Sequence, residues 1–278
     1  MTRWLFVVAA VLLALGLPLP AAHAQALPTP SHIVIVVEEN KPNGSIIGSK
    51  SAPYINALAN GGANMTQSFA ETHPSEPNYL ALFSGNTFGL TTDACPVDGG
   101  TAANLASELL AAGYTFAGFS EDLPAVGSTV CSAGKYARKH VPWANFTNVP
   151  ADVSLPFSSF NARSDFASLP TVSFVIPNLD NDMHDGTIAQ ADTWLYENLS
   201  HYANWAAANN SLLIVTFDED DGGSKNQIPT VIYGAHVKPG SYPETISHYN
   251  VLSTIEEMYR LPKTGLAANA PAISTIWA

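Results

Sequence analysis

The sequence has little charge, little cysteine and few long apolar runs. Charged residues make up 12% of its 278 residues, about half of the roughly 25% that is typical of soluble domains. The charges are also unbalanced, with 11 Lys and Arg against 23 Asp and Glu and a formal net charge of −12. A chain this acidic lacks the basic surface that holds nucleic acid by its phosphates, so we expect no nucleic-acid partner.

Only one apolar run is long, and it lies at the N-terminus. Arg3 precedes an apolar run over residues 4–17, and small residues follow it as far as Ala24. This order is typical of a signal peptide over residues 1–24, with an uncleaved anchor as the weaker alternative. No other run approaches the roughly 20 apolar residues of a transmembrane helix. We therefore predict a secreted or periplasmic mature chain over residues 25–278, with no stable membrane insertion after cleavage.

Cysteine occurs at two positions, Cys95 and Cys131. In an oxidising compartment a disulfide between them is the default expectation, and two free thiols are the alternative. A metal site built on these cysteines is disfavoured, because no His or Cys stands beside either of them at ligand spacing.

Apolar runs bounded by turn residues predict five buried strands, over residues 32–37, 114–119, 171–176, 212–217 and 230–234. Helical patterns lie between them, over residues 52–62, 101–113 (with Thr101 as its cap), 191–209 and 248–261. This alternation predicts an α/β fold with a mostly parallel central sheet and helices on both faces. Residues from about 120 to 168 show weak periodicity, so we expect an irregular insertion within a single domain.

Acidic residues follow three of the predicted strands. Glu38 and Glu39 follow the first, Asp180 and Asp182 follow the third, and four consecutive acids over residues 218–221 follow the fourth. Ligands of open α/β sheets bind outside the carboxyl ends of the strands, where these acids would meet. The pattern favours a cation site at that edge, and a solvated acidic turn is the alternative for residues 218–221.

Ser75 precedes Glu76 and Pro77 and then an apolar helical run. Ser is a preferred helix N-cap and Pro is tolerated in a first turn, so the segment alone favours a capping role. A hydroxyl at a helix N-terminus also lies near the positive end of the helix dipole and near free N–H groups, which favour phosphate. A carboxylate-bound metal beside it would make the same hydroxyl a nucleophile.

Five segments in chain order resemble the bacterial phosphoesterase family of secreted acid phosphatases and phospholipases C, in the alkaline phosphatase superfamily. They are "VVEEN", "THPSEPNYLALFSG", "VIPNLDNDMHDGT", "VTFDEDDGG" and "HYNVLSTIEEMYRLP". The resemblance implies an alkaline-phosphatase-like fold and an acid-phosphatase-type hydrolase of phosphate monoesters. A phosphodiesterase of phospholipase C type is the alternative, and a catalytically inactive cation-binding envelope protein is a weaker one.

The resemblance also implies a role for individual residues. Ser75 would be the nucleophile that forms a phosphoserine, and His184 would bind the phosphoryl group or protonate the leaving oxygen. One divalent ion (Mg²⁺, Ca²⁺, Mn²⁺ or Zn²⁺) would be held by Glu39, Asn40, Ser75, Asp218 and Glu219. The substrate, a small phosphorylated molecule, would contact Asn78, His73, His140 and His248. Candidate ligands of a second metal are Asp180, Asp182 and His184.

Several charged neighbours have an ordinary alternative. Glu38 is expected either on the surface or behind the metal ligands, and Asp220 and Asp221 are expected in a solvated turn. The basic segment "KYARKH" is either a solvated face or a cationic rim that guides a phosphate to the site, with Arg138 and Lys139 as candidates.

Overall fold

The protein is represented by a computed structural model, which describes Met1 and residues 26–162, 165–223 and 225–278. Apart from Met1, the predicted signal peptide therefore lies outside the described residues. These residues form ten strands: β1 (His32–Glu38), β2 (Ala63–Phe69), β3 (Phe116–Ser120), β4 (Ser132–Ala133), β5 (Tyr136–Ala137), β6 (Ser154–Pro156), β7 (Val172–Ile176), β8 (Ser211–Phe217), β9 (Thr230–Gly234) and β10 (Gly240–Ser247). They also form seven α-helices: α1 (Asn43–Ile46), α2 (Pro53–Gly61), α3 (Ser75–Ser84), α4 (Leu105–Ala111), α5 (Ser158–Asn161), α6 (Ile188–Ala208) and α7 (His248–Met258).

One eight-stranded sheet organises the fold, in the order β10-β2-β9-β8-β1-β7-β3-β6. The neighbours β8, β1, β7, β3 and β6 are parallel, as are β10 and β2. Strand β9 runs antiparallel to both of its neighbours. The predicted mostly parallel α/β fold is therefore confirmed.

The central strands are buried on both faces. On β1, Ile33, Ile35 and Val37 pack in one core with helices α3, α4 and α7, because alternate side chains of a strand point to the same face. Val34 and Val36 pack on the opposite face in a second core with α2 and α6. Both layers exclude water from the sheet, which explains why these strands read as continuous apolar runs.

All five predicted strands are confirmed, but β2, β6 and β10 of the main sheet and the short hairpin strands β4 and β5 were missed. Strand β2 carries Asn64, Thr66 and Gln67, which break its apolar pattern. Strand β10 is an edge strand with alternately exposed residues and contains Pro243, which argues against a strand when read in sequence. The predicted Thr101 cap is wrong, because α4 begins later and Asn104 accepts a hydrogen bond from the Ser107 N–H as its cap.

The parallel strands end at one edge of the sheet. The registers of β1 with β7 and of β1 with β8 place Glu38, Ile176 and Phe217 at the same end. Two backbone hydrogen bonds join the loops beyond them: Glu39 N–H donates to Asp182 O (2.7 Å), and Asp218 N–H donates to Glu38 O (3.0 Å). This edge is where the sequence predicts the site.

The insertion after β3 folds over this edge rather than forming a separate unit. It contributes the hairpin β4–β5, two short 3-10 helices (Arg138–His140 and Pro142–Asn145) and the edge strand β6. A disulfide joins Cys95 to Cys131 and so ties the insertion to the loop after α3, as the sequence predicts. No helix in the described part of the chain is long and apolar enough to cross a membrane.

We expect the paired substitution Cys95→Ser and Cys131→Ser to lower the free energy of unfolding by about 2–4 kcal/mol, because the unfolded chain regains the freedom of a 36-residue loop. Urea unfolding under oxidising conditions measures the difference. Wild-type protein with a thiol reductant should fall to the value of the double variant, whose own stability should not respond to the reductant. A change below about 0.5 kcal/mol would show that the disulfide does not stabilise the fold by constraining the unfolded chain.

Candidate active site

Ser75 is the first residue of α3, and its hydroxyl points toward carboxylates. The cap position belongs to Pro74, which makes no side-chain cap hydrogen bond, so the expectation that Ser75 caps the helix is wrong. Its Oγ lies 3.1 Å from Glu39 Oε2 and 3.1 Å from Glu219 Oε1, and it can donate to either. The side chain is buried, and it stands at the N-terminal end of a ten-residue helix, where anions are stabilised.

Glu39 is the central acceptor of the site. Its Oε2 accepts from Ser75 Oγ and from the amide Nδ2 of Asn40 at 2.9 Å, and its Oε1 accepts from the Tyr79 hydroxyl at 2.6 Å. His140 Nε2 lies 3.0 Å from the same Oε1. Complete burial and the negative charges of Asp218 and Asp182 raise the pKa of Glu39 well above its ordinary value. A cation in the site would relieve this repulsion.

Asp218 stands beside Glu39 at the end of β8. Its Oδ1 accepts from the backbone N–H of Asn40 at 3.0 Å, and its Oδ2 is buried and has no hydrogen-bond partner in the described part of the chain. Burial, with the negative charge of Glu219 adding to it, raises the pKa of Asp218 to about 8. The five predicted ligands of the first metal therefore lie close together. Ser75 is at the start of α3, and the other four are in the loops that follow β1 and β8.

His73 covers the outer side of this cluster. Its Nδ1 makes a short contact with Glu219 Oε2, and its Nε2 lies 3.5 Å from Asp220 Oδ1. Although partial burial opposes it, the hydrogen bond and charge of Glu219 raise the pKa of His73. The ring therefore offsets part of the negative charge of the acidic run, at a position open to solvent. Its predicted contact with substrate stays a prediction.

His140 lies on the insertion side of Glu39. Its ring stacks on Tyr79, with 5.0 Å between the ring centroids, and its Nδ1 lies 3.3 Å from Asp182 Oδ2. Burial lowers the pKa of His140 well below its ordinary value, and a neutral imidazole is the form that binds metals. Glu39, His140 and Asp182 each offer one ligand atom, and these atoms lie within 4.8 Å of one another.

The three candidate ligands of a second metal do not all lie together in the structure. Asp182 joins Glu39 and His140, whereas Asp180 pairs with Lys135 at 2.7 Å on the surface. His184 is about one-third exposed, and its Nδ1 lies 2.8 Å from Asp185 Oδ1. The structure thus groups Asp182 with His140, which sequence spacing did not indicate, because His140 comes from the insertion.

Asn78 and His248 were predicted to contact the substrate, but in the structure their side chains contact backbone groups. The Asn78 Oδ1 accepts from the N–H groups of Glu71 and Thr72, and its Nδ2 donates to the carbonyls of Thr72 and Pro74. His248 is buried, and its Nε2 lies 2.9 Å from the carbonyl of Phe217. Both shape the loops that carry Ser75 and Asp218, and their contact with substrate stays a prediction.

Three charged residues for which a solvent-exposed position was one expectation are buried in the structure. Glu38 is completely buried on the α6 side of β1, so it is no surface acid, and burial raises its pKa well above the ordinary value. Asp220 is buried, and its Oδ1 accepts from the N–H of Gly223, whereas Asp221 is exposed as expected. Arg138 is not on a rim, because its guanidinium is buried and donates to the carbonyls of Thr129 and Ala144.

Tyr79 and Asp93 are residues of the site that were not predicted from the sequence. Tyr79 lies four residues after Ser75, so the two side chains share one face of α3, which is a signal that spacing alone could have given. Asp93 accepts from the backbone N–H of Glu76 at 3.0 Å and from Lys139 Nζ at 2.8 Å. Nothing in the sequence marks Asp93, because both of its partners are distant along the chain.

The donor atoms of the site fit a divalent cation. One oxygen each of Asp218 and Asp182 is buried without a hydrogen-bond partner among the described residues, and the carboxylates of Glu39 and Glu219 lie beside Ser75. Carboxylate, amide and hydroxyl oxygens suit Mg²⁺, Ca²⁺ or Mn²⁺, and a histidine beside them also suits Zn²⁺. The ion would be held by Glu39, Asn40, Ser75, Asp218 and Glu219, with a second donor group on the other side of Glu39.

Sequence relatives carry phosphatase names. The chain is 72% identical over 254 residues to the phosphatidylinositol-3-phosphatase of Mycobacterium tuberculosis, covering 91% of this chain and 85% of that protein. It is 31% identical to a probable acid phosphatase of Kluyveromyces lactis and 31% identical to an acid phosphatase of Aspergillus fumigatus. Those matches cover 83% and 75% of this chain, but only 58% and 51% of the two fungal proteins.

Solved structures share the fold at low sequence identity. A protein of the alkaline phosphatase superfamily from Vibrio parahaemolyticus superposes with a TM-score of 0.62 at 13% identity, over 90% of this chain and 72% of that one. The C-terminal periplasmic domain of EcEptC from Escherichia coli superposes with a TM-score of 0.56 at 10% identity, over 86% and 85% of the two chains. The predicted alkaline-phosphatase-like fold is thus confirmed.

The family model named "Phosphoesterase family" matches residues 48–262, which include Ser75, His140, Asp182 and Asp218. This match and the named phosphatases confirm the predicted class, an enzyme that hydrolyses phosphoric esters. On its sequence, the chain belongs to the phosphoesterase family.

Proposed function

We propose that the protein is a secreted, metal-dependent phosphatase that hydrolyses phosphate monoesters through a phosphoserine at Ser75. The observation that carries this proposal is the position of the Ser75 hydroxyl. It is buried at the start of α3 and lies within hydrogen-bond distance of both Glu39 and Glu219. A serine that only shaped the helix would cap backbone N–H groups instead of facing two carboxylates.

The residues around Ser75 supply what phosphoryl transfer needs. A divalent cation held by the five predicted ligands would neutralise phosphate charge and lower the pKa of the serine hydroxyl. Glu39 Oε2 and Glu219 Oε1 are each placed to take the proton from Ser75 Oγ. Tyr79 and Asn40 hold the Glu39 carboxylate in place, and the N-terminal end of α3 favours the incoming phosphate.

His184 is proposed to protonate the leaving oxygen. Its Nδ1 faces the carboxylate of Asp185 at 2.8 Å, and that contact holds the ring while Nε2 faces the site beside Lys139. A histidine braced by a carboxylate in this way is a common general acid. In the second half of the reaction the same ring would take a proton from the attacking water.

Monoesters are the favoured substrate class because the relatives that cover most of this chain are named phosphatases. The 72% identity to a phosphatidylinositol-3-phosphatase favours a phosphorylated inositol headgroup among these monoesters. A phosphodiesterase of phospholipase C type remains the second candidate. An inactive cation-binding protein is disfavoured, because Ser75 and its carboxylate partners are intact and close together.

Export is supported by the disulfide. A bond between Cys95 and Cys131 fits an oxidising compartment outside the cytoplasm. The predicted signal peptide would deliver the chain there.

The proposed function is tested by comparing a chromogenic phosphomonoester with its phosphocholine diester. We expect turnover of the monoester to exceed that of the diester, and we expect a chelator to abolish it and an added divalent ion to restore it. Phosphatidylinositol 3-phosphate in detergent micelles, assayed by release of inorganic phosphate, tests the headgroup. Turnover of the diester alone would assign phospholipase C chemistry, and activity that survives complete chelation would remove the metal from the proposal.

A further inference from the structure

Lys139 is a positively charged residue beside the acidic residues of the site, and the reaction proposed above assigns it no role. It lies in the short 3-10 helix Arg138–His140, directly before His140, and its side chain is about one-fifth exposed. Its Nζ lies 3.4 Å from Nε2 of His184. Lys139 thus stands at the open side of the cluster whose buried side is formed by Glu39 and Asp182.

The neighbouring basic side chains already make hydrogen bonds or ion pairs with other groups of the protein. Arg138 donates to loop carbonyls, Lys41 Nζ donates to the carbonyls of Asn40 and Met183, and Lys135 pairs with Asp180 and Asp185. Lys139 has one carboxylate partner in the described structure, Asp93. An ammonium group has three N–H donors, so two remain after Asp93 is counted, and His184 takes neither while its Nε2 carries the proton for the leaving oxygen.

Asp93 connects Lys139 to the nucleophile. One carboxylate oxygen accepts from Lys139 Nζ at 2.8 Å, and the other accepts from the N–H of Glu76, the residue after Ser75, at 3.0 Å. The same loop carries Cys95, whose disulfide to Cys131 ties it to the insertion that carries Lys139. The carboxylate thus fixes the ammonium group relative to the start of α3.

We propose that Lys139 binds a non-bridging oxygen of the substrate phosphate, and that Asp93 is the positioning residue that holds it there. This inference rests on the proposed phosphatase function and adds the group that recognises phosphate charge. Lysine is ordinarily protonated near neutral pH, and the 2.8 Å contact with the Asp93 carboxylate favours that charged form.

The proposal makes Lys139 a determinant of substrate class. Near neutral pH a phosphate monoester carries close to two negative charges, whereas a diester carries one. A cation that contacts a terminal oxygen stabilises the dianion more than the monoanion, because that oxygen bears more charge. Lys139 should therefore favour monoesters over diesters.

The test compares Lys139→Ala with wild type on p-nitrophenyl phosphate and on bis-p-nitrophenyl phosphate. We expect kcat/KM for the monoester to fall about 10- to 100-fold, the range of one charge-assisted hydrogen bond, and the diester to fall several-fold less. The inhibition constant of inorganic phosphate should rise in parallel. Lys139→Arg should recover part of the monoester activity. Lys238→Ala, which removes one exposed lysine on the loop between β9 and β10, should change neither rate.

Asp93→Asn tests the positioning role. The amide oxygen can still accept from the Glu76 N–H, but the charge that holds Lys139 is gone. We expect a smaller loss of monoester activity than in Lys139→Ala, and we expect no further loss when Asp93→Asn is added to Lys139→Ala. Independent, multiplicative losses would show that Asp93 does not act through Lys139.

The outcomes separate this inference from the function on which it rests. A wild-type protein without hydrolytic activity would overturn the phosphatase proposal itself. An active wild type in which Lys139→Ala leaves the monoester-to-diester ratio and the phosphate inhibition constant unchanged would overturn the role of Lys139 alone. If circular dichroism shows that Lys139→Ala does not fold, the monoester-to-diester ratios of Lys139→Arg and Asp93→Asn test the role of Lys139 instead. Both variants keep a side chain of similar size at the substituted position.

Discussion

Ser75→Ala should abolish phosphomonoester hydrolysis, with kcat reduced by at least about 10³-fold, because alanine lacks the hydroxyl that would form the phosphoserine. The side chain is buried and loses a single oxygen, and Pro74 rather than Ser75 occupies the cap position of α3. We therefore expect the variant to fold like wild type. Steady-state kinetics with a chromogenic monoester and thermal unfolding measure the two properties separately.

Ser84→Ala is the matched control, because Ser84 is a second buried serine at the other end of α3, where its hydroxyl donates to the carbonyl of Leu80. It should retain full activity. Wild type quenched in acid during turnover should yield a phosphorylated peptide that contains Ser75, and Ser75→Ala should yield none. Retention of more than a tenth of wild-type kcat in Ser75→Ala would assign the nucleophile to another group or to water.

The orientation of the Ser75 hydroxyl could not be predicted from the local sequence. The helix after Ser75 was predictable from its apolar pattern, and a serine at a helix start reads as a cap. Whether the hydroxyl turns back to the backbone or outward to Glu39 and Glu219 depends on residues 36 and 144 positions away. No local pattern encodes that choice, and only the resemblance to phosphoesterases indicated the outcome that the structure has.

The strand ends were easier to predict than the insertion. The strands β1, β7 and β8 are buried on both faces, so their apolar runs were unambiguous. Glu39 and Asp218 follow β1 and β8 directly, and Asp182 lies in the loop after β7. Strand alternation also required Glu38 and Glu39 to point apart, and Glu38 lies in the core on the opposite face. His140 and Lys139 come from a segment without periodicity, whose path is set by the disulfide and by Arg138 contacts with loop carbonyls.

Asp218→Asn should separate metal binding from folding. The amide keeps an oxygen that can accept from the Asn40 N–H, but it removes one of the predicted metal ligands and one negative charge. We expect hydrolysis to fall by at least about 100-fold, since ligand loss removes the cation that offsets phosphate charge. In wild type, a divalent ion at 100 times its dissociation constant should add about 3 kcal/mol to the free energy of unfolding. In Asp218→Asn most of that gain should be lost.

The metal-free proteins should show the opposite order of stability. Burial and Glu219 raise the pKa of Asp218 from 3.8 to about 8 in the folded chain, so ionising this carboxyl opposes folding. That cost is absent below about pH 4, grows as pH rises toward 8, and disappears when the carboxylate is replaced by an amide. We therefore expect metal-free Asp218→Asn to be at least as stable as metal-free wild type at pH 8, with the difference shrinking as pH falls toward 4.

Asp221→Asn is the control for this comparison, because Asp221 belongs to the same acidic run but is exposed. It changes the net charge by the same amount and should leave both activity and the stabilisation by metal ions at the wild-type level. Thermal unfolding of chelator-treated protein, repeated with Mg²⁺, Ca²⁺, Mn²⁺ and Zn²⁺, measures all three proteins. If Asp218→Asn and Asp221→Asn respond equally to every ion, Asp218 is not a metal ligand. If only Asp218→Asn loses the response, the buried end of the run supplies metal ligands and its exposed end does not.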